Sequence, residues 1–166
     1  YFTLSSPYYL WSNTEYDNNS SKAWIKRFSS SQIRPHSTTD SYNVLCVKGD
    51  QISNIFMNNG NGTTSDNKTG LMWQNDDDGT LRTFEDSIAY CENLSLGDRI
   101  DWRLPNIKEL GSIIDHSNYN PPFDNSYFSQ VQQAYIYSST VYQGSNTSIA
   151  FVISSEDGHV TVANFT

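Results

Sequence analysis

Asp101-Trp102-Arg103-Leu104-Pro105-Asn106-Ile107-Lys108-Glu109-Leu110 is the stretch from which the fold is read. Pro105 biases Leu104 toward an extended conformation. Asn106 is a good helix N-cap, and Glu109, three residues on, can reach back to its backbone N–H. Ile107, Leu110, Ile113 and Ile114 then recur at helical spacing. The pattern predicts an extended segment, a sharp corner and a short amphipathic helix over about 106–115. Trp102 reads as core. Arg103 reads as a structural arginine held by Asp101, Glu109 or Asp115. The alternative is a contact to a ligand carboxylate or sulfate, which suits a planar two-pronged donor.

Working outward, Thr83 caps a second helix from Phe84 to about Leu94. Phe84, Ile88, Cys91 and Ser95 share a face, which turns Cys91 inward. Leu71-Met72-Trp73 reads as a short buried strand, and Asn58 to Asn67 as a mobile loop. Asn75-Asp76-Asp77-Asp78-Gly79 carries acids that raise the question of calcium. Calcium loops place oxygen ligands at alternate positions with a distal Glu, whereas these acids are consecutive, so the stretch reads as a solvated acidic turn. Asp115 to Gln133 is a long Asn/Pro/Tyr-rich connection, of the kind that often carries function. Strands follow near 135–142, 148–154 and 159–164, alternating as in an antiparallel sheet.

Residues 1–50 are a second copy of part of this pattern. Tyr1-Phe2 matches Tyr127-Phe128, an offset of 126 that persists without a gap. Trp11-Ser12-Asn13-Thr14 lies over Tyr137-Ser138-Ser139-Thr140, and Tyr16 over Tyr142. After a one-residue slip, Ala23-Trp24-Ile25 lies over Ala150-Phe151-Val152, and Ile33 over Val160. A period this long is a whole domain, not a solenoid unit. The expected organisation is therefore the C-terminal portion of a preceding repeat over 1–50, then a nearly whole domain over 51–166. Strands are expected at 8–14, 22–28, 32–36 and 43–48. The last of these should pair with 51–57 across Gly49-Asp50.

Four separated motifs, in order, resemble the Lcl C-terminal domain family. They are Thr69-Gly70-Leu71-Met72-Trp73-Gln74, Tyr90-Cys91, Asp101 to Pro105 with Lys108-Glu109-Leu110, and Tyr137-Ser138-Ser139-Thr140. The resemblance covers about residues 52–166 and implies a non-enzymatic module of bacterial surface proteins. It implies an α+β, C-type-lectin-like fold, with two short helices on a twisted antiparallel sheet and long loops. Trp73, Trp102, Arg103 and Glu109 would be structural. The family pattern adds a last strand bearing a second cysteine, and Asn43-Val44-Leu45-Cys46-Val47-Lys48 resembles it. On that basis the 43–48 strand can complete the 51–166 domain and bring Cys46 to Cys91 as a disulfide. Two free buried thiols are the alternative.

Composition narrows the function. Of 166 residues 36% are hydrophobic and 14% aromatic, so aromatic side chains must supply much of the core. Net charge is −8, and the pI is near 4.6, which disfavours nucleic acid and anionic lipid as partners. No apolar run reaches the length of a membrane span. The three histidines are isolated, and no phosphate loop, dinucleotide fingerprint or zinc spacing occurs. Taken with the resemblance, which implies a bacterial surface protein, the expected role is non-catalytic binding by an extracellular or cell-surface protein that needs no cofactor. The resemblance implies glycan or matrix as partners, with Tyr119, Asn120, Phe123, Asn125, Tyr127 and Tyr142 as the ligand-binding candidates in this sequence. The alternative is a fibre subunit whose copies or neighbouring repeats join by head-to-tail strand donation.

Overall fold

The computed structural model describes residues 9–27, 32–49, 55–129, 131, 135–143 and 148–164. The first strands are β1 (Tyr9–Glu15), β2 (Lys22–Arg27) and β3 (Ile33–Ser37). A small hairpin sheet follows: β4 (Phe56–Asn58), β5 (Thr63–Asp66) and β6 (Leu71–Gln74). Helices α1 (Phe84–Glu92) and α2 (Ile107–Gly111) come next, then β7 (Tyr135–Val141), β8 (Ile149–Ser154) and β9 (Val160–Asn164). The larger sheet has six antiparallel strands in the order β1-β2-β3-β9-β8-β7.

The sequence repeat is reproduced in the register. Tyr9 faces Arg27, Leu10 faces Lys26 and Trp11 faces Ile25, while Tyr135 faces Ser154, Ile136 faces Ile153 and Tyr137 faces Val152. Each pair in one meander is the sequence equivalent of a pair in the other. The irregularity between Trp11 and Glu15 recurs between Tyr137 and Val141. β2–β3 and β8–β9 agree in the same way, from Lys22↔Ser37 and Ile149↔Asn164 onward. The two meanders meet at Ile33↔Val160, a pair of equivalent residues. Equivalent residues can face each other across an antiparallel seam only if a local pseudo-twofold axis passes between them.

The core lies under the second meander. Leu110, Ile113 and Ile114 pack with Phe123, Phe128, Phe151, Ile153 and Val160. Each such side chain contributes about 1.5–3 kcal/mol on leaving water. The first meander is tied to the same side by Trp24, whose indole donates to the His116 carbonyl (2.8 Å) and whose ring lies 4.5 Å from the imidazole. Gly158, at φ +75°, lets the β8–β9 turn close against this loop, since a Cβ there would sit 2.5 Å from Ile114 Cγ2.

Several expectations need correction. The fold is mostly β, not α+β in a C-type-lectin-like form: among the described residues nine strands form two antiparallel sheets beside two small helices. Two physical causes stand out. The N-terminal segment adds three strands to the main sheet, and α2 stops at Gly111, with Ser112 as its C-cap, leaving Ile113 and Ile114 to enter the core outside the helix. Residues 58–67 are not a mobile loop but contain β5, where Thr63, Thr64 and Asp66 are buried. Asp66 organises the next turn by accepting bonds from the Lys68 N–H (2.9 Å) and the Thr69 hydroxyl (2.6 Å). The 43–48 segment is not a strand: Asn43 makes an isolated bridge to Leu10, and the residues after it have no ladder partner among the described residues. The expected hairpin with 51–57 falls partly outside the described residues, and Phe56–Asn58 pairs with β5.

The Cys46–Cys91 disulfide is also absent; both thiols are free. Asn43 is held on β1, at one end of the main sheet, by Trp11 N–H to Asn43 O (3.1 Å) and Asn43 N–H to Tyr9 O (3.2 Å). Cys91 lies with β7 at the other end. Five strand spacings separate those ends, about 24 Å, and the three residues from Asn43 to Cys46 span at most about 11 Å.

Candidate functional site

The Asp101–Leu110 corner forms one wall of a groove. Asn106 caps α2 by accepting from the N–H groups of Lys108 (2.9 Å) and Glu109 (3.1 Å), and Glu109 accepts in return from the Asn106 N–H (2.9 Å). Arg103 grips the same carboxylate with both prongs, at 2.8 and 2.7 Å. That bond holds the Glu109 carboxyl below its usual range. The corner docks on β7 through Ser139 N–H to Pro105 O (2.8 Å) and Ile107 N–H to the Thr140 hydroxyl (3.0 Å).

Between this corner, α1, β6 and the outer edge of β7 lies a groove of about 620 Å³. Its walls include Trp73, Tyr90, Cys91, Trp102, Leu104 and Tyr137. The rim carries large apolar side chains in water: Leu81 is 81% exposed and Tyr135 56%. The cations beside it are already engaged. Arg82 holds Asp78 with both prongs (2.8 and 2.6 Å) and stacks 3.9 Å over the Tyr90 ring. Burial raises the pKa of the Cys91 thiol, which keeps it protonated near neutral pH and weakly nucleophilic.

The structural candidates therefore gather at the groove. Trp102 donates to the Leu96 carbonyl (3.2 Å), and Trp73 packs half-buried against the core, its indole nitrogen unpartnered among the described residues. The ligand-binding candidates do not gather. Phe123 is 2% exposed and belongs to the core, so it offers no face to a ligand, a correction that follows from its apolar ring. Tyr127 and Tyr142 turn their rings toward Phe56 (5.5 Å) and Phe151 (5.8 Å). Tyr119 stacks edge-on to Tyr16 (5.8 Å) and donates its hydroxyl to Glu156 (2.6 Å). That bond pushes the phenol pKa up to about 12. Asn120 and Asn125 are exposed.

The acidic turn is occupied by the protein's own groups. Asp76 accepts from the Ser129 N–H (3.2 Å) and hydroxyl (2.9 Å), Asp77 accepts from the Gly79 N–H (2.6 Å), and Asp78 binds Arg82. Among the described residues no three His, Cys, Asp or Glu side chains converge as a metal site.

Sequence reasoning missed Tyr90, Leu81 and Tyr135 as groove residues. The available signal was the repeat itself: Tyr135 is the equivalent of Tyr9, on the edge-forming strand of its meander. Comparison with known proteins gave one match. A family model described as the Lcl C-terminal domain matches residues 62–166. No curated protein and no solved structure matches the chain.

Proposed function

The chain belongs to the Lcl C-terminal domain family, and from that premise we propose a non-catalytic adhesion module on the outside of a bacterium, with the β7 groove as its binding face. The observation that carries the reading is the groove, largely apolar and rimmed by exposed Leu81 and Tyr135. Its size and lining suit a bound ligand. The ring faces of Tyr90, Trp102 and Tyr135 suit sugar rings or apolar side chains of a matrix polypeptide. The paired state of Arg82 and Arg103 and the protonated Cys91 thiol support binding over catalysis.

The test is binding of the wild-type chain and two variants to immobilised glycans and matrix proteins. Tyr135→Ser should lower affinity at least about tenfold, as loss of a hot-spot aromatic does, while Tyr119→Ala should change it less than about threefold. The reverse result would return the ligand to the Asp115–Gln133 connection. Binding indifferent to both variants would sink the adhesion reading.

A second reading, a fibre subunit joined by strand donation, is favoured by one observation. Val44, Leu45 and Val47 are 66%, 52% and 96% exposed, an apolar run lying in water. Runs of this kind mark interaction sites.

A further inference from the structure

Resting on the fibre-subunit reading, we propose that the β7 groove is the seat of the Asn43–Lys48 segment of a second copy of this chain. The segment would lie along the outer edge of β7 as Asn43 lies along β1.

The repeat supplies the register. In the first meander the edge strand β1 is covered: Tyr9 C=O and Trp11 N–H both bond Asn43. Because β1–β2 and β7–β8 share one register, the equivalent outward groups on β7 are Tyr135 C=O and Tyr137 N–H. Both residues line the groove. Among the described residues nothing covers them as Asn43 covers β1, whereas two residues on, the Ser139 N–H is taken by Pro105. An open edge beside an apolar groove is an acceptor for an extended chain: backbone bonds give affinity and the groove takes alternate side chains.

The same chain supplies a donor. Asn43 to Lys48 carries Val44, Leu45 and Val47 exposed and is held, among the described residues, by the bridge at Asn43. Within its own chain it is held at the far end of the sheet from the groove, so a second copy is the occupant that needs no rearrangement of the acceptor. With Asn43 released from its own β1 and placed at Tyr135 and Tyr137 of the second copy, the chain must leave the β7 edge before Pro105. It then passes into the groove, where Cys46 comes within reach of Cys91. A copy that accepts at β7 and donates at Asn43–Lys48 makes a head-to-tail contact, which does not close on itself.

The experiment mixes two full-length variants, ¹⁵N-labelled Cys91→Ser and unlabelled Cys46→Ser, so that the remaining thiols lie on different chains. Oxidised glutathione is the oxidant. Two thiols lose two protons and two electrons to form one disulfide, and the glutathione disulfide is reduced to two thiols. The expected result is a mixed-label dimer whose non-reduced peptides join Cys46 to Cys91. A synthetic peptide of residues 42–48 with Cys46→Ser should lower its yield at least about fivefold. Val47→Asp in the donor, at a site so exposed that the fold is spared, should do the same. No cross-link, or one that peptide and Val47→Asp leave unchanged, overturns the proposal. A Cys46–Cys91 bond within single wild-type chains overturns it too, since the groove would then be filled by its own segment. If no cross-link forms but Tyr135→Ser still abolishes matrix binding, the groove is an adhesion site and only this inference fails.

Discussion

The first meander, β1–β3, and the second, β7–β9, have one register and different interiors. Trp24 stands where the second has Phe151, Ile25 where it has Val152, and Lys26 where it has Ile153. Ile153 is fully buried over the core. Lys26 is half-buried, and burial depresses its ammonium pKa. A shared register thus survives a change from Ile to Lys at one of its inward positions. The backbone path and the bulge set the pairing, while position over α2 and the 113–128 segment sets how much apolar surface each strand must supply. The edges differ as well: β1 is bridged by Asn43, and β7 borders the groove.

The largest expected effect tests that difference at its centre. Ile153→Lys places an unpaired ammonium in a closed core and should cost more than about 4 kcal/mol, enough to unfold many domains of this size. Lys26→Met, at the equivalent position, keeps a similar volume and should change stability by less than about 1 kcal/mol. Urea unfolding of both variants reads the contrast. Equal costs would mean that the two meanders share one buried interior.

The comparison sharpens with pH. Trp24 rests on His116, whereas Phe151 rests on apolar neighbours. Burial depresses the His116 pKa to about 4, against the opposing pull of Asp115 and Asp157. At pH 7 both folded and unfolded chains hold it neutral. As pH falls below about 6.5 the unfolded chain takes up a proton that the folded chain refuses, so stability is lost until about pH 4, where the folded chain takes it too. The loss is roughly 3 kcal/mol. His116→Phe should remove that part of the slope. Amide exchange should show β2 opening before β8 at pH 4.5; simultaneous opening would mean that the two meanders share one cooperative unit.

How much of this was legible in the sequence depends on the range of the forces involved. The Asn106 cap, the Thr83 cap and the strands at 9–15, 22–27, 33–37, 135–141, 149–154 and 160–164 rest on local chemistry and were readable within about two residues. The repeat was readable as an offset, and the structure turned that offset into a shared register. The mostly-β fold was not readable, because it depends on where the first meander attaches, a seam with Ile33↔Val160 as its registered pair. The strand at Thr63–Asp66 was hidden by polar residues. Asp66 is buried with its carboxylate bonded to the following turn, and the Thr63 hydroxyl with Asn59 and Asn61 as partners, so polar residues occupy buried positions there. The 43–48 run read as a strand from its composition, yet a strand needs a partner edge, and among the described residues its contact of that kind is the bridge of Asn43 to Leu10. Phe123 was misread for a related reason: a loop residue looks like surface until the core it seals is known. The groove was the least legible feature, since it is bounded by β6, α1, the corner and β7, which lie far apart in the chain.

The smallest effects concern how each edge strand is held. β7 is fastened to the corner through Pro105 and Thr140, and the corner is built on the Asn106–Glu109 capping box. Asn106→Ala removes the acceptor for two N–H groups and should cost about 1 kcal/mol, as loss of such a cap does. Glu109→Gln keeps the shape but weakens the Arg103 pair. Because Arg103 is largely exposed, water screens that pair, and the cost should be only a few tenths of a kcal/mol. The sign with pH follows from the lowered Glu109 pKa: its contribution is present above the ordinary carboxylate range and is lost as pH falls through the folded value. That loss adds to the His116 effect only at the acid end. Amide exchange at Ser139 gives the finer reading, because that N–H is held by Pro105. If Asn106→Ala speeds exchange at Ser139 and leaves Trp11 in β1 unchanged, the two edges are held independently. If Trp11 speeds up as well, the seam at Ile33 and Val160 transmits the change, and the meanders are mechanically one sheet.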